Sequence, residues 1–110
     1  MMMPNDVSLS MAQQDLIDYY RAIESSSLRM LEAAQEQDWD EVVRLEGACA
    51  LLIEQLRFEA RNRELDPAQR AEKMRIMQRI LKNDSQIRYL AEPWLVHFEK
   101  KFDNLQQLLH

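Results

Sequence analysis

The stretch "EQDWDEVV", Glu36 to Val43, decides how this 110-residue chain folds. On its N-terminal side lies a long run of helix-forming residues, and the stretch ends that run and starts another. Asp38 carries a side-chain oxygen suited to capping the exposed amides of a new helix, and Glu41, three residues on, completes a capping-box pattern. A second signal of the same kind is "RELDPAQRAE", Arg63 to Glu72. There Asp66 is the cap, Pro67 takes the first helical position where its missing N–H costs nothing, and Gln69 occupies the reciprocal site. Elsewhere the chain has one glycine and three prolines in all, so breakers are rare. The reading is an all-α fold. Its first helix runs from Leu9 or Ser10 to Glu36, its second from Trp39 to about Asn62, and its third from Pro67 onward. Both connections are short, which makes sequential neighbours antiparallel and gives a three-helix bundle. Residues 9–110 form a single domain, and residues 1–8, opening "MMMPND", read as a loose terminus.

Each helix carries an apolar stripe near the bundle period. The first offers Leu9, Leu16, Ile17, Tyr20, Ile23, Met30, Leu31 and Ala34. The second offers Trp39, Val42, Val43, Cys49, Leu52, Ile53, Leu56 and Ala60. The third offers Met74, Met77, Ile80, Leu81, Ile87, Leu90 and Ala91, and the stripe then continues in phase through "PWLVHFEKKFDNLQQLL". Pro93 interrupts the backbone there, removing one hydrogen bond and pushing Glu92 away from the α region. Two forms follow: a long third helix kinked at Pro93, or a split there into a fourth helix. The unbroken phase and the absence of a Gly, Asn or Ser cluster favour the kink. An unbroken third helix would reach about 64 Å, against about 40 Å for the first. Its last third would then project with its apolar stripe uncovered, and soluble monomers rarely leave such a patch without a partner.

Trp94, Leu95, Phe98, Phe102, Leu105 and Leu108 are therefore the candidate partner-binding residues, spaced as helix-in-groove anchors. Gly47, Leu51 and Phe58 fall together on the outer face of the second helix. They read either as scattered exposed residues or as a second contact surface, joined by Leu51 and Phe58. Glu46, Asp84 and Arg88 fall on core stripes and form a structural polar layer, with Arg88 bridging Asp84 and Glu46.

Composition excludes several classes. The net charge of −5 argues against nucleic-acid binding, which wants a basic patch. No apolar run approaches the roughly 20 residues that cross a bilayer, and the N-terminus lacks the pattern of a signal peptide. Cys49 is the single cysteine, consistent with a reducing cytoplasm, and its place on the core stripe makes it buried and inert. No glycine-rich loop, facing Glu-x-x-His pairs or nucleophile–base arrangement suggests an enzyme, a cofactor or a metal site. His97, followed by Lys100 and Lys101, invites comparison with phosphotransfer bundles, but Lys101 stands where those want a small residue. A helical homodimer closed by the exposed stripe is the other non-enzymatic reading.

At "AAQEQDWDEVVRLEGACALLIEQL", and again at "ILKNDSQIR", the chain resembles the FliT-type flagellar export chaperones. Ala33-Ala34, the break before Asp38-Trp39-Asp40, Leu45-Glu46 and the segment Ile80–Arg88 carry the resemblance, which spans about Leu16 to Leu109. It implies a small cytoplasmic chaperone that binds the filament-cap protein FliD and prevents its premature assembly. The chaperone would then bring FliD to the export ATPase complex and export gate. In some members the resemblance further implies antagonism of the flagellar master transcriptional regulator, switched by an extra C-terminal helix. This chain ends where the family's long third helix would end, so the expectation is a member without that extra helix.

Overall fold

The computed structural model describes residues 4–94 and Leu108, with side chains from Leu16 to Pro93 and of Leu108. Three α-helices follow one another: α1 (Pro4–Gln35), α2 (Trp39–Ala60) and α3 (Pro67–Ala91), the last followed by a 3-10 turn at Glu92–Trp94. The all-α reading holds. α1 starts earlier than its stripe suggested, at Pro4. Proline's fixed φ suits a first helical position, and this is the physical reason the start moves there.

The α1–α2 corner is built by backbone as much as by side chains. The amide of Asp38 donates to the carbonyl of Ala33 at 2.8 Å and that of Gln37 to Ala34 at 3.0 Å, the paired bonds of a Schellman closure. Gln37 adopts the left-handed conformation, φ 60°, that this closure needs and that glycine adopts most easily. Asp38 then caps α2, its Oδ1 accepting from the amide of Glu41 at 3.2 Å. The reciprocal half of the expected capping box is not formed, because the Glu41 carboxylate is taken up by Arg44 one turn on. At α3 the box is complete: Gln69 N–H donates to Asp66 Oδ1 at 2.8 Å, and Asp66 N–H to Gln69 Oε1 at 3.1 Å.

α1 is the spine. α2 packs antiparallel along it and α3 parallel to it, while no Cα of α2 lies within 8 Å of one of α3. The parallel register of α1 and α3 is visible in their cross-links. Arg21 pairs with Glu72 at 4.0 Å, Glu24 with Arg79 at 2.5 Å, and Asn83 donates to Ser27 Oγ at 3.0 Å. The core is Leu16, Ile17, Tyr20, Ile23, Met30 and Leu31 of α1, Val42, Leu45, Cys49, Ile53 and Leu56 of α2, and Ile76, Ile80 and Ile87 of α3, closed by Ala33, Ala34 and Ala91.

Two expectations for α3 are corrected. Met74 and Leu81 are 57% and 49% exposed, not core, and Ile76 is fully buried instead. Ile76, Ile80, Asp84, Ile87 and Ala91 recur every three or four residues, and this set, more β-branched and in tighter phase, faces α1. Nor does the α-helix run unbroken through Pro93. Of the two forms foreseen at Pro93, the α-helix stops before the proline, and the 3-10 turn takes over. A straight continuation would carry residue 108 about 25 Å past Ala91. Leu108 is instead half-buried and packed against the core, so it does not lie at the tip of an uncovered helix.

Cys49 is completely buried. Burial, then the nearby Glu46 carboxylate, pushes its thiol up to about 12, against the weaker opposing hydrogen bond to Ser26.

Three outcomes follow from this packing. Ile80→Ala should lower the unfolding free energy by about 2–5 kcal/mol, read from urea melts, since it empties a fully buried site. Gln37→Gly should raise it by roughly 0.5–1 kcal/mol by relieving the left-handed backbone. At pH 8.5 a thiol reagent should label Cys49 only when denaturant is added; rapid labelling of the native chain would contradict its burial.

Candidate functional site

The described residues present exposed apolar surfaces and shallow grooves. Among the described residues no group of three His, Cys, Asp or Glu side chains converges as metal ligands would. The buried, protonated Cys49 has none of the thiolate character a nucleophile needs. His97 lies outside the described residues.

α2 and α3 each pack on α1, and no Cα of one lies within 8 Å of a Cα of the other. The residues read as a structural polar layer lie on these two helices. Asp84 on α3 is 1% exposed and accepts from Arg88 Nε at 3.1 Å, one turn further along the same helix. Arg88 keeps about a quarter of its side chain in water, which lets the guanidinium neutralise Asp84 without being fully desolvated. Glu46 on α2 is 2% exposed. Glu46 and Asp84 are buried, in keeping with their places on the core stripes. The described contacts place the Arg88 bridge on Asp84.

Apolar surface is exposed on α3. Met74, Met77 and Leu81 follow at i, i+3 and i+7, so they share one flank. That flank is opposite the one on which Arg79 and Asn83 bond α1. Sequence reasoning missed it because it counted these residues into the core; the signal available was that Ile76 already supplied that register. Of the expected anchors, Leu95, Phe98, Phe102 and Leu105, and the Trp94 side chain, lie outside the described residues. The backbone of Trp94 ends the 3-10 turn.

A second surface lies on the far side of α2. Leu51 and Phe58 are 66% and 65% exposed, as the helical spacing implied, and the Arg61 guanidinium lies 5.4 Å from the Phe58 ring centre. A Cβ built on Gly47 would meet no atom within 4 Å. A third, shallower groove runs between the C-terminal halves of α1 and α3, lined by Leu31, Gln35, Ser85, Gln86, Tyr89 and Leu90, with Tyr89 standing exposed at its rim. Around these surfaces the charges are paired locally. Glu41 and Glu72 are held below the usual carboxylate range by hydrogen bonds to Arg44 and Arg75, so their small stabilising contribution is present at neutral pH and disappears only as pH falls below about 4.5.

No helix among the described residues is long and apolar enough to cross a membrane. No curated protein and no solved structure matches the chain. The family model described as "Flagellar protein FliT" matches residues 17–109, from within α1 to the penultimate residue. That match takes in the Asp38 and Asp66 caps, the polar pair Asp84–Arg88 and both long apolar surfaces. Membership implies, in general terms, a flagellar export chaperone. The chain belongs to the FliT family of flagellar proteins.

Proposed function

We propose that this chain is a cytoplasmic chaperone of flagellar type III export that captures the filament-cap protein FliD, keeps it from assembling early and hands it to the export apparatus. One observation carries the reading. α3 leaves Met74 and Leu81 exposed on the flank opposite the one whose Arg79 and Asn83 bond α1. A closed, self-sufficient bundle would bury two such residues. A chaperone needs apolar anchors held ready on a rigid support, and α1 supplies that rigidity to α3 along its whole length.

In this reading an amphipathic helix of the cap protein lies along the Met74–Leu81 flank and engages Trp94, Leu95, Phe98, Phe102 and Leu105. Helix-in-groove recognition of this kind draws its affinity from apolar side chains one turn apart, with aromatic anchors contributing most. Leu108 contacts the core, so it serves this surface from the bundle side. Delivery would bring the loaded chaperone to the export ATPase complex and the export gate. The master transcriptional regulator is a further partner that the family resemblance suggests for some members.

The test is capture of purified filament-cap protein by immobilised chaperone. Phe98→Asp and Leu81→Asp should each weaken capture at least tenfold (about 1.4 kcal/mol), with the helical circular dichroism signal retained. Undiminished capture by both variants would overturn the proposed surface, and no capture by the unaltered chain would overturn the choice of client.

A further inference from the structure

Charge is distributed unevenly over the three helices. Between Pro67 and Ala91, α3 carries six basic side chains and two acidic ones, Glu72 and Asp84. The whole chain has a net charge of −5, so this one helix stands at +4 and the remainder together carries −9. The helix that presents the exposed Met74 and Leu81 is the basic element of an acidic protein.

The apolar flank itself is cationic. Arg70, Met74, Met77, Leu81 and Arg88 follow at spacings of four, three, four and seven, in one line along the helix. Lys73 stands one turn before Met77. Neither acidic residue of α3 is exposed on this line. Asp84 is 1% exposed, and Arg88 Nε donates to it at 3.1 Å. Glu72 lies on the flank toward α1, where it pairs with Arg75 at 2.6 Å and with Arg21 at 4.0 Å. On that flank the cations are matched within the chain, Arg75 by Glu72 and Arg79 by Glu24. Arg70 and Lys73 make no ion pair among the described residues. Arg70 Nη1 donates to the carbonyl of Leu65 at 2.9 Å, which fixes the guanidinium and leaves donors for a carboxylate. Lys73 is held over the Tyr20 ring, its Nζ 5.5 Å from the ring centre.

Resting on the client reading above, we propose that the segment received on this flank is an acidic amphipathic helix. Its apolar side chains cover Met74, Met77 and Leu81, and its carboxylates meet Arg70 and Lys73 at the start of α3. Apolar contact supplies affinity but is indifferent to charge, so the choice of partner falls to the cations that border it. A basic helix would meet Arg70 and Lys73 with like charge. An acidic helix is repelled by the rest of the protein and attracted to α3, so its encounters are steered onto the one face that carries the apolar anchors.

Two synthetic helical peptides test the sign of the partner. They share a leucine stripe, flanked in one by glutamates and in the other by lysines, and are titrated into the full chain by fluorescence anisotropy. At about 0.01 M salt, where charges act over about 30 Å, the glutamate peptide should bind about tenfold more tightly. At about 1 M salt, where that range falls to about 3 Å, the preference should vanish. Arg70→Glu and, separately, Lys73→Glu should each remove it at low salt. A glutamate at position 70 suits the N-terminal end of the α3 dipole, so the helical circular dichroism signal should be retained. Equal binding of the two peptides, tighter binding of the lysine peptide, or a preference untouched by both variants would overturn the proposal. So would binding of phosphatidylglycerol vesicles by a chain that takes neither peptide, which would assign these cations to a lipid surface. Cap-protein capture is measured in parallel. Equal peptide binding with capture lost in Leu81→Asp sinks the acidic partner alone, whereas glutamate selectivity without capture sinks the choice of client alone.

Discussion

The structure depends on one asymmetry: α1 buries its apolar stripe against two helices, whereas α2 and α3 each bury theirs chiefly against α1. Ile23 and Met30, both fully buried, are the centre of that arrangement. Burying an aliphatic side chain is worth roughly 1.5–3 kcal/mol, so a helix pair sharing five or six of them is secure without a third neighbour. The outer helices are thereby released from the need to touch. The exposure of Met74 and Leu81 is a consequence of where the burial was concentrated.

Polar groups then set the register that apolar contact leaves loose. Apolar side chains slide and rotate at little cost, but Ser27 and Asn83 meet at 3.0 Å in only one alignment of α1 and α3. Ser27 Oγ also donates to the carbonyl of Glu24 at 2.7 Å, which fixes its rotamer and so the acceptor presented to Asn83. Asp84, one residue further along α3, is held by Arg88 from the solvent side. Charge is kept at the edge of the core, where water still reaches one partner. This is the arrangement in which a buried carboxylate costs least. The same logic explains why Cys49 is silent: its neighbours make ionisation unfavourable, so packing is all it contributes.

Where reading the residues succeeded, the determinant was local. Asp38 and Asp66 cap because a carboxylate three residues before a free amide has one good geometry, whatever the rest of the chain does. Where it failed, the determinant was a competition. Glu41 had two partners within reach and Arg44 won over the Asp38 amide, because a charge-assisted, two-pronged bond is stronger. On α3, Met74, Ile76, Met77, Ile80 and Leu81 allow two neighbouring stripes, and only the shape of α1 chooses between them. Leu51 and Phe58 were placed correctly on an outer face, since α2 has a single strong apolar arc and everything opposite it is outside.

Composition, caps and periodicity alone determined that this chain is three helices, broken at Asp38 and Asp66, with a buried Glu46 and Asp84 and a free, inert Cys49. Short motifs along it were enough to point to the FliT family. Tertiary structure alone decided that α3 ends before Pro93, that Ile76 rather than Met74 faces the spine, and that Leu108 packs against the core instead of projecting beyond it. The physical reason is range. A cap or a helical period is written within four residues, whereas the end of a helix at a proline and the choice between two apolar stripes depend on which surface lies opposite, and that surface belongs to residues fifty or more positions away in the chain, as Glu24 and Arg79 are.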